Sequence, residues 1–164
     1  MLLGKKQQGF STIEMVTVLV LLGVLGAAAF SRFGNTSSYT EAIVQQELLA
    51  YFQLTQRVAV AHQDSTTSFT LTRNGDQWDI ALQFDGQTVN DQLNAEQVIN
   101  VQLNSFSADL DEGVTYRAEY SDDGDLVAVT SPTNLSVTHS VQFSIGTRAL
   151  CIAPTGFAYE GSCL

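Results

Sequence analysis

Bases are scarce in this chain. Of its 164 residues, seven are Lys or Arg against seventeen Asp or Glu, a net charge of −10. Both lysines, Lys5 and Lys6, stand before residue 10, and every other base is an isolated arginine: Arg32, Arg57, Arg73, Arg117 and Arg148. A surface of that sign repels nucleic-acid backbones and anionic headgroups, which disfavours nucleic acid as a partner. The two histidines, His62 and His139, lie far apart, and no serine sits in a nucleophile motif, so no catalytic triad is legible. Neither G-x-x-x-x-G-K-[ST] nor G-x-G-x-x-G occurs. The chain is not read as an enzyme, and no cofactor is implied. Prolines number two, Pro132 and Pro154, both between strand-like runs. Cysteines also number two, Cys151 and Cys163, with no C-x-x-C, so they do not suggest a metal site. In an exported chain such a pair reads as a disulfide, and closing that loop contributes roughly 3 kcal/mol on the chain-entropy view.

What is present is an apolar run near the start. From Met15 to Phe30 sixteen residues carry no charge, and counting from Phe10 the stretch reaches twenty-one with Glu14 inside it. That length is enough to span a bilayer, and Lys5 and Lys6 ahead of it set an N-in orientation. A carboxylate inside hydrocarbon costs about 2.5–3.5 kcal/mol even on lenient insertion scales, so Glu14 calls for a partner.

The stretch KKQQGFSTIE followed by an apolar helix resembles the class III leader of type IV pilins and type II secretion pseudopilins. The resemblance is strong over residues 4–33 and architectural beyond. It implies removal of a leader, 1–9, by a prepilin peptidase cutting between Gly9 and Phe10, followed by N-methylation of Phe10. It implies a filament in which Glu14 neutralises the Phe10 ammonium of a neighbouring subunit, a pairing that also sets axial register. The position at which many major pilins carry a kinking proline is Ser31, with Gly34 the nearest breaker. This leans toward a minor pilin or a pseudopilin.

After the apolar segment, residues 36–62 show three- and four-residue spacing. Tyr39, Ile43, Glu47, Tyr51, Thr55, Val58 and His62 fall near one side, and Val44, Leu48, Phe52 and Ala59 widen the stripe. His62 reads as a helix-end residue. From Ser65 the period switches to two. TTSFTLTR and WDIALQF flank the turn Asn74-Gly75, a hairpin signal, and Trp78 reads as core with an indole that needs a partner. DGQTVNDQLNAEQ reads as a loop. VINVQL, VTYRAEY, LVAVT, VQFSI, ALCIA and FAY read as further strands, seven or eight in all. The expected fold class is α+β and pilin-like. A long N-terminal helix, half in the membrane (10–33) and half amphipathic (34–63), packs on a β-rich region (64–164) of one or two antiparallel sheets, closed by a C-terminal disulfide loop presented outward.

Two acidic stretches, DLDEG at 109–113 and SDDGD at 121–125, offer oxygen ligands. Asp122, Asp123 and Asp125 around Gly124 form a weak Ca²⁺ candidate without EF-hand spacing; some pseudopilins bind calcium in a β-loop. The tail and the residues after the apolar run resemble minor pilins of mannose-sensitive haemagglutinin pili. The function implied is a minor type IV pilin that initiates or tips a surface pilus for attachment and biofilm formation. The alternative is a minor, H-like pseudopilin driving export of folded proteins, and a DNA-uptake pilin stands third. The implied partners are other pilin subunits, the prepilin peptidase, an inner-membrane assembly platform and the inner membrane itself. The implied location is a single-pass inner-membrane precursor, then the pilus on the cell surface.

Overall fold

The computed structural model describes residues 11–30 and 36–164. Two compact units form. The first contains α1 (Thr12–Phe30). It is a run of Val, Leu, Ala and Met without proline, started by Ser11. Gly23 and Gly26 inside it have no atom within 4 Å of where a Cβ would stand.

The second unit, Ser37–Leu164, holds the core. It opens with α2 (Thr36–Ala61). Val44, Leu48, Phe52, Thr55 and Ala59 recur at helical spacing and are fully buried. The buried stripe is thus narrower than the sequence reading: Tyr39, Ile43 and Glu47 face solvent. The helix ends at Ala61, and the next residue, His62, has its Nδ1 2.9 Å from the Val58 carbonyl and its ring 4.8 Å from Phe84.

Eleven strands follow. A six-stranded sheet contains β1 (Thr67–Asn74), β2 (Gln77–Phe84), β3 (Gln87–Asn94), β6 (Thr115–Tyr120), β7 (Leu126–Ser131) and β8 (Leu135–Ser136), in the order β3-β2-β1-β6-β7-β8. A five-stranded sheet contains β4 (Ile99–Leu103), β5 (Phe106–Leu110), β9 (Val141–Ile145), β10 (Arg148–Ile152) and β11 (Ala158–Glu160), in the order β11-β10-β9-β4-β5. Every pairing is antiparallel. Alternation fixes the faces: Trp78, Ile80 and Leu82 point inward from β2, and Asp79, Ala81 and Gln83 point outward. Phe52 of α2 touches Phe69 of β1 at 4.7 Å and Phe143 of β9 at 4.9 Å, and Tyr116 of β6 meets Phe143 edge-on at 5.0 Å. The two sheets therefore share one core, with α2 seated on both.

Two expectations are corrected here. The described fold is β-rich, two separate helices and eleven strands, and not a pilin-like α+β fold with one long N-terminal helix. Gly34 and Asn35, immediately ahead of α2, are weak helix formers, and they lie outside the described residues. Likewise, no helix among the described residues is long and apolar enough to cross a membrane, which overturns the single-pass inner-membrane precursor and the location built on it. The uncharged part of α1 begins only after Glu14. Sixteen residues rise about 24 Å, short of the roughly 30 Å of a hydrocarbon core. The stretch 85–97, read as a loop, contains β3, and β5 and β8 were likewise not legible as strands.

Candidate functional site

The first turn of α1 is built by a reciprocal cap. The Ile13 N–H points to Ser11 Oγ at 3.4 Å, and Glu14 Oε2 accepts from the Ser11 N–H at 3.2 Å. S-T-I-E is a capping box, a signal already present in the sequence. The carboxylate that the resemblance assigns to a neighbour also stabilises its own helix, where the positive end of the helix dipole favours it. Thr17 follows on the next turn, its hydroxyl donating to the Ile13 and Glu14 carbonyls.

Above that turn α1 is apolar on all sides. From Ile13 to Leu25 every large apolar side chain is 52–70% exposed. A soluble helix shows an apolar stripe and a polar face, whereas one that is apolar all round is built to be buried. Gly9 and Phe10, the cleavage and methylation residues, lie outside the described residues, as do Ser31 and Gly34. The geometry of the Glu14–Phe10 pair is therefore not on view.

At the other end of the chain Cys151 and Cys163 form the disulfide, with Cα atoms 5.2 Å apart. It ties the C-terminal segment to β10, and the Cys163 N–H donates to Gln142 of β9. The loop it closes is only partly outward. Phe157 is exposed and stacks with Tyr159 at 6.2 Å. In the turn Pro154-Thr155-Gly156 the Thr155 side chain is exposed, while Gly156 is buried and the main chain is bonded to the rest of the unit. The Leu126 N–H donates to the Pro154 carbonyl at 2.8 Å, and Gln56 of α2 donates to the Thr155 carbonyl at 2.7 Å. Gly156 approaches so closely that a Cβ there would stand 2.0 Å from the Gly124 carbonyl oxygen.

That contact bears on Asp122, Asp123 and Asp125. They sit in the β6–β7 turn, which is closed by Ser121 N–H to Asp125 O (2.9 Å) and by Gly124 N–H to Ser121 O (2.9 Å). Among the described residues no three His, Cys, Asp or Glu side chains converge as a metal would require. In the other acidic stretch, Asp109 accepts from Asn100 and Glu112 accepts from the Gly75 N–H at 2.7 Å. These carboxylates fasten hairpins.

A row of polar residues on α2 performs the same task between layers. Glu41 accepts from the Thr147 N–H (3.1 Å) and hydroxyl (2.8 Å); Gln45 donates to the Ala149 carbonyl and accepts from Arg148. Those Thr147 bonds, led by the hydroxyl and helped by the nearby Arg148 charge, hold the Glu41 carboxyl below its ordinary range. On the opposite flank the Tyr51 hydroxyl donates to Asp91 of β3. Burial first, and the Asp91 carboxylate second, push the Tyr51 phenol up to about 12.

Trp78 is core as read, but its indole N–H has no hydrogen-bond partner among the described residues, and neither do the Tyr116 and Tyr120 hydroxyls. The Arg73 guanidinium lies 5.9 Å from the Trp78 ring centre. Arg117, the base on the outer face of the larger sheet, donates to Ser68 and Gln83.

The chain matches no family model, no curated protein and no solved structure.

Proposed function

We propose that this chain is a minor type IV pilin, a structural subunit that helps to initiate or tip a surface pilus used in attachment and biofilm formation. One observation carries the reading: α1 exposes apolar side chains on every side above a single carboxylate at its first turn. Burying those ten large side chains among neighbouring subunits is worth on the order of 10 kcal/mol per subunit, a driving force that a lone helix in water forgoes. The leader-like sequence around Gly9 and Phe10 supports the same reading. Glu14 caps its own helix through Oε2 and keeps Oε1 for a neighbour's Phe10 ammonium. The proposal rests on this helix and its leader, and the β-rich body is the part that distinguishes the subunit. Its partners are other pilin subunits and the peptidase that removes the leader.

Deleting the gene in its host, with surface pili counted by electron microscopy and secreted protein assayed in the medium, tests the reading. Loss of pili with normal secretion supports it. Intact pili with secreted protein stranded in the periplasm makes the chain a pseudopilin and refutes it. At residue level, Glu14→Ala should leave the leader cleaved and the chain absent from filaments; efficient incorporation of the variant refutes the charge-pair role.

A further inference from the structure

The larger sheet ends on one side in β8, two residues long, and on the other in β3, eight residues long. The smaller sheet ends in β11 and β5, of three and five residues. Natural edges are kept short or are blunted by lysine, proline or a bulge. β3 has none of these. Its register with β2 is unbroken from Gln87 to Asn94, seven of its eight residues are exposed, and among the described residues no strand pairs with its other side. Its one charge, Asp91, is turned toward α2: one carboxylate oxygen accepts from the Tyr51 hydroxyl and the other from the Gln92 N–H, which guards the far end of the edge and leaves the stretch before it open.

The turn determines which backbone groups the edge offers. Asp85 and Gly86, with φ of +48° and +70°, form a two-residue hairpin loop of the type that needs positive φ at both positions. In such a hairpin the flanking residues, Phe84 and Gln87, share ladder bonds, and bonded and non-bonded pairs then alternate. Thr88, Asn90, Gln92 and Asn94 therefore direct their N–H and C=O groups away from β2; the Gln92 N–H is already taken by the Asp91 carboxylate at 2.8 Å, so the open groups nearest the turn are those of Thr88 and Asn90.

We infer that β3 is a docking edge for a second copy of this chain, β3 pairing antiparallel with β3 about Val89 and fusing two six-stranded sheets into one. Charge and side-chain complementarity choose the occupant and the register. Centring the pair on Asp91 brings two carboxylates face to face, and centring it on Asn90 places Val89 opposite Asp91. Centring on Val89 buries that side chain, 52% exposed in one copy, against its twin. The same register sets the Gln87 amide opposite the Asp91 carboxylate and the Thr88 hydroxyl opposite the Asn90 amide. The stretch paired in this register is Gln87–Asp91, five of the eight residues of β3, and it stops before the Gln92 N–H that Asp91 occupies. The dimer edge does not depend on the filament reading, since it uses neither α1 nor Glu14.

The test uses the full chain carrying Val89→Cys. Cys151 and Cys163 are bonded to each other, so the new thiol is the free one. Opposed residues of a non-hydrogen-bonded antiparallel pair have Cα atoms about 4.5 Å apart, within disulfide range. Mild oxidation should yield a covalent dimer, while Val98→Cys, at a site 40% exposed ahead of β4, stays monomeric. Adding Asn90→Pro removes an edge-facing N–H from each copy and no bond to β2. It should slow cross-linking about tenfold or more, through loss of two N–H···O bonds per dimer. Cross-linking of Val89→Cys no faster than of Val98→Cys, an unchanged rate with Asn90→Pro, or capture of a different protein in place of a second copy overturns the inference.

Discussion

Gly156→Ala measures how tightly the C-terminal hairpin is locked to the β6–β7 turn. The introduced Cβ would stand 2.0 Å from the Gly124 carbonyl oxygen and 3.2 Å from its carbon. Both are main-chain atoms, so no side-chain rotation relieves the overlap and the turn must move. The φ of +72° adds roughly 1–2 kcal/mol for a residue with a Cβ. Moving the turn breaks the Leu126–Pro154 and Gln56–Thr155 hydrogen bonds, each worth about 1 kcal/mol. The total is about 3–4 kcal/mol, or a fall in Tm of about 10–15 °C for a unit of this size. Thermal unfolding followed by circular dichroism reads it, with Gly113→Ala as control. Gly113 has nearly the same φ, +74°, but no atom within 4 Å of its Cβ position, so it isolates the backbone contribution. If both variants lose the same Tm, the close approach carries no stability and the reasoning fails.

Three further outcomes follow from the polar fastenings. Glu41 is held below its ordinary value of 4.5, so its stabilising effect is complete above that pH and is lost as pH falls through the lowered value. Glu41→Gln should therefore show a flatter acid limb of Tm against pH than the parent; superimposable limbs count against the Thr147 bonds. The Tyr51 phenol, raised from 10.0 to about 12, stabilises fully below pH 10 and loses that effect as pH climbs toward 12. Asp91→Asn should bring tyrosinate absorbance in at lower pH, by less than the whole shift because burial persists, and an unmoved titration refutes the pairing. Replacing both Cys151 and Cys163 with serine opens a loop of sequence separation 12 and should cost about 3 kcal/mol in chemical denaturation, whereas a change below about 1 kcal/mol would mean the open chain is ordered without the bridge.

The sequence was most legible where pattern and burial coincide. β2 alternates Trp78, Ile80 and Leu82 against polar neighbours, β9 reads VQFSI, and both strands lie where period two places them. α2 was legible as a helix, but its inward side was drawn too wide: Ile43 and Tyr39 are apolar and still face solvent, since hydrophobicity does not say which of two apolar stripes a sheet will cover. β3 was illegible for the opposite reason. With both faces largely in water, Gln87–Asn94 has almost no apolar partner to alternate with and reads as a polar loop. The candidate site divides the same way. Cys151 and Cys163 were found from cysteine count alone. The cap between Glu14 and Ser11, three residues before it, is written in S-T-I-E but is masked by the apolar run that follows, which makes the carboxylate look stranded in hydrocarbon. The meeting of Gly124 and Gly156 joins residues thirty-two positions apart on different sheets, and no local pattern announces it.

The row of fastenings along α2 has a consequence for how the chain folds. Its bonds to Thr147, Arg148 and Ala149 span sequence separations of 103–106, and its bond to Thr155 spans 99. The hairpins β1–β2 and β2–β3 close over two-residue turns and need nothing downstream. The helix made before them cannot be covered on its smaller-sheet side until β9 and β10 exist. Contacts of this range are slow to form, because the entropy of closing the loop falls due before the packing rewards it. During synthesis the side of α2 that meets the smaller sheet, including the face of Phe52 that packs on Phe143, therefore waits uncovered for most of the chain to emerge. That interval is when the unfinished protein is most prone to associate wrongly and most in need of a holding chaperone.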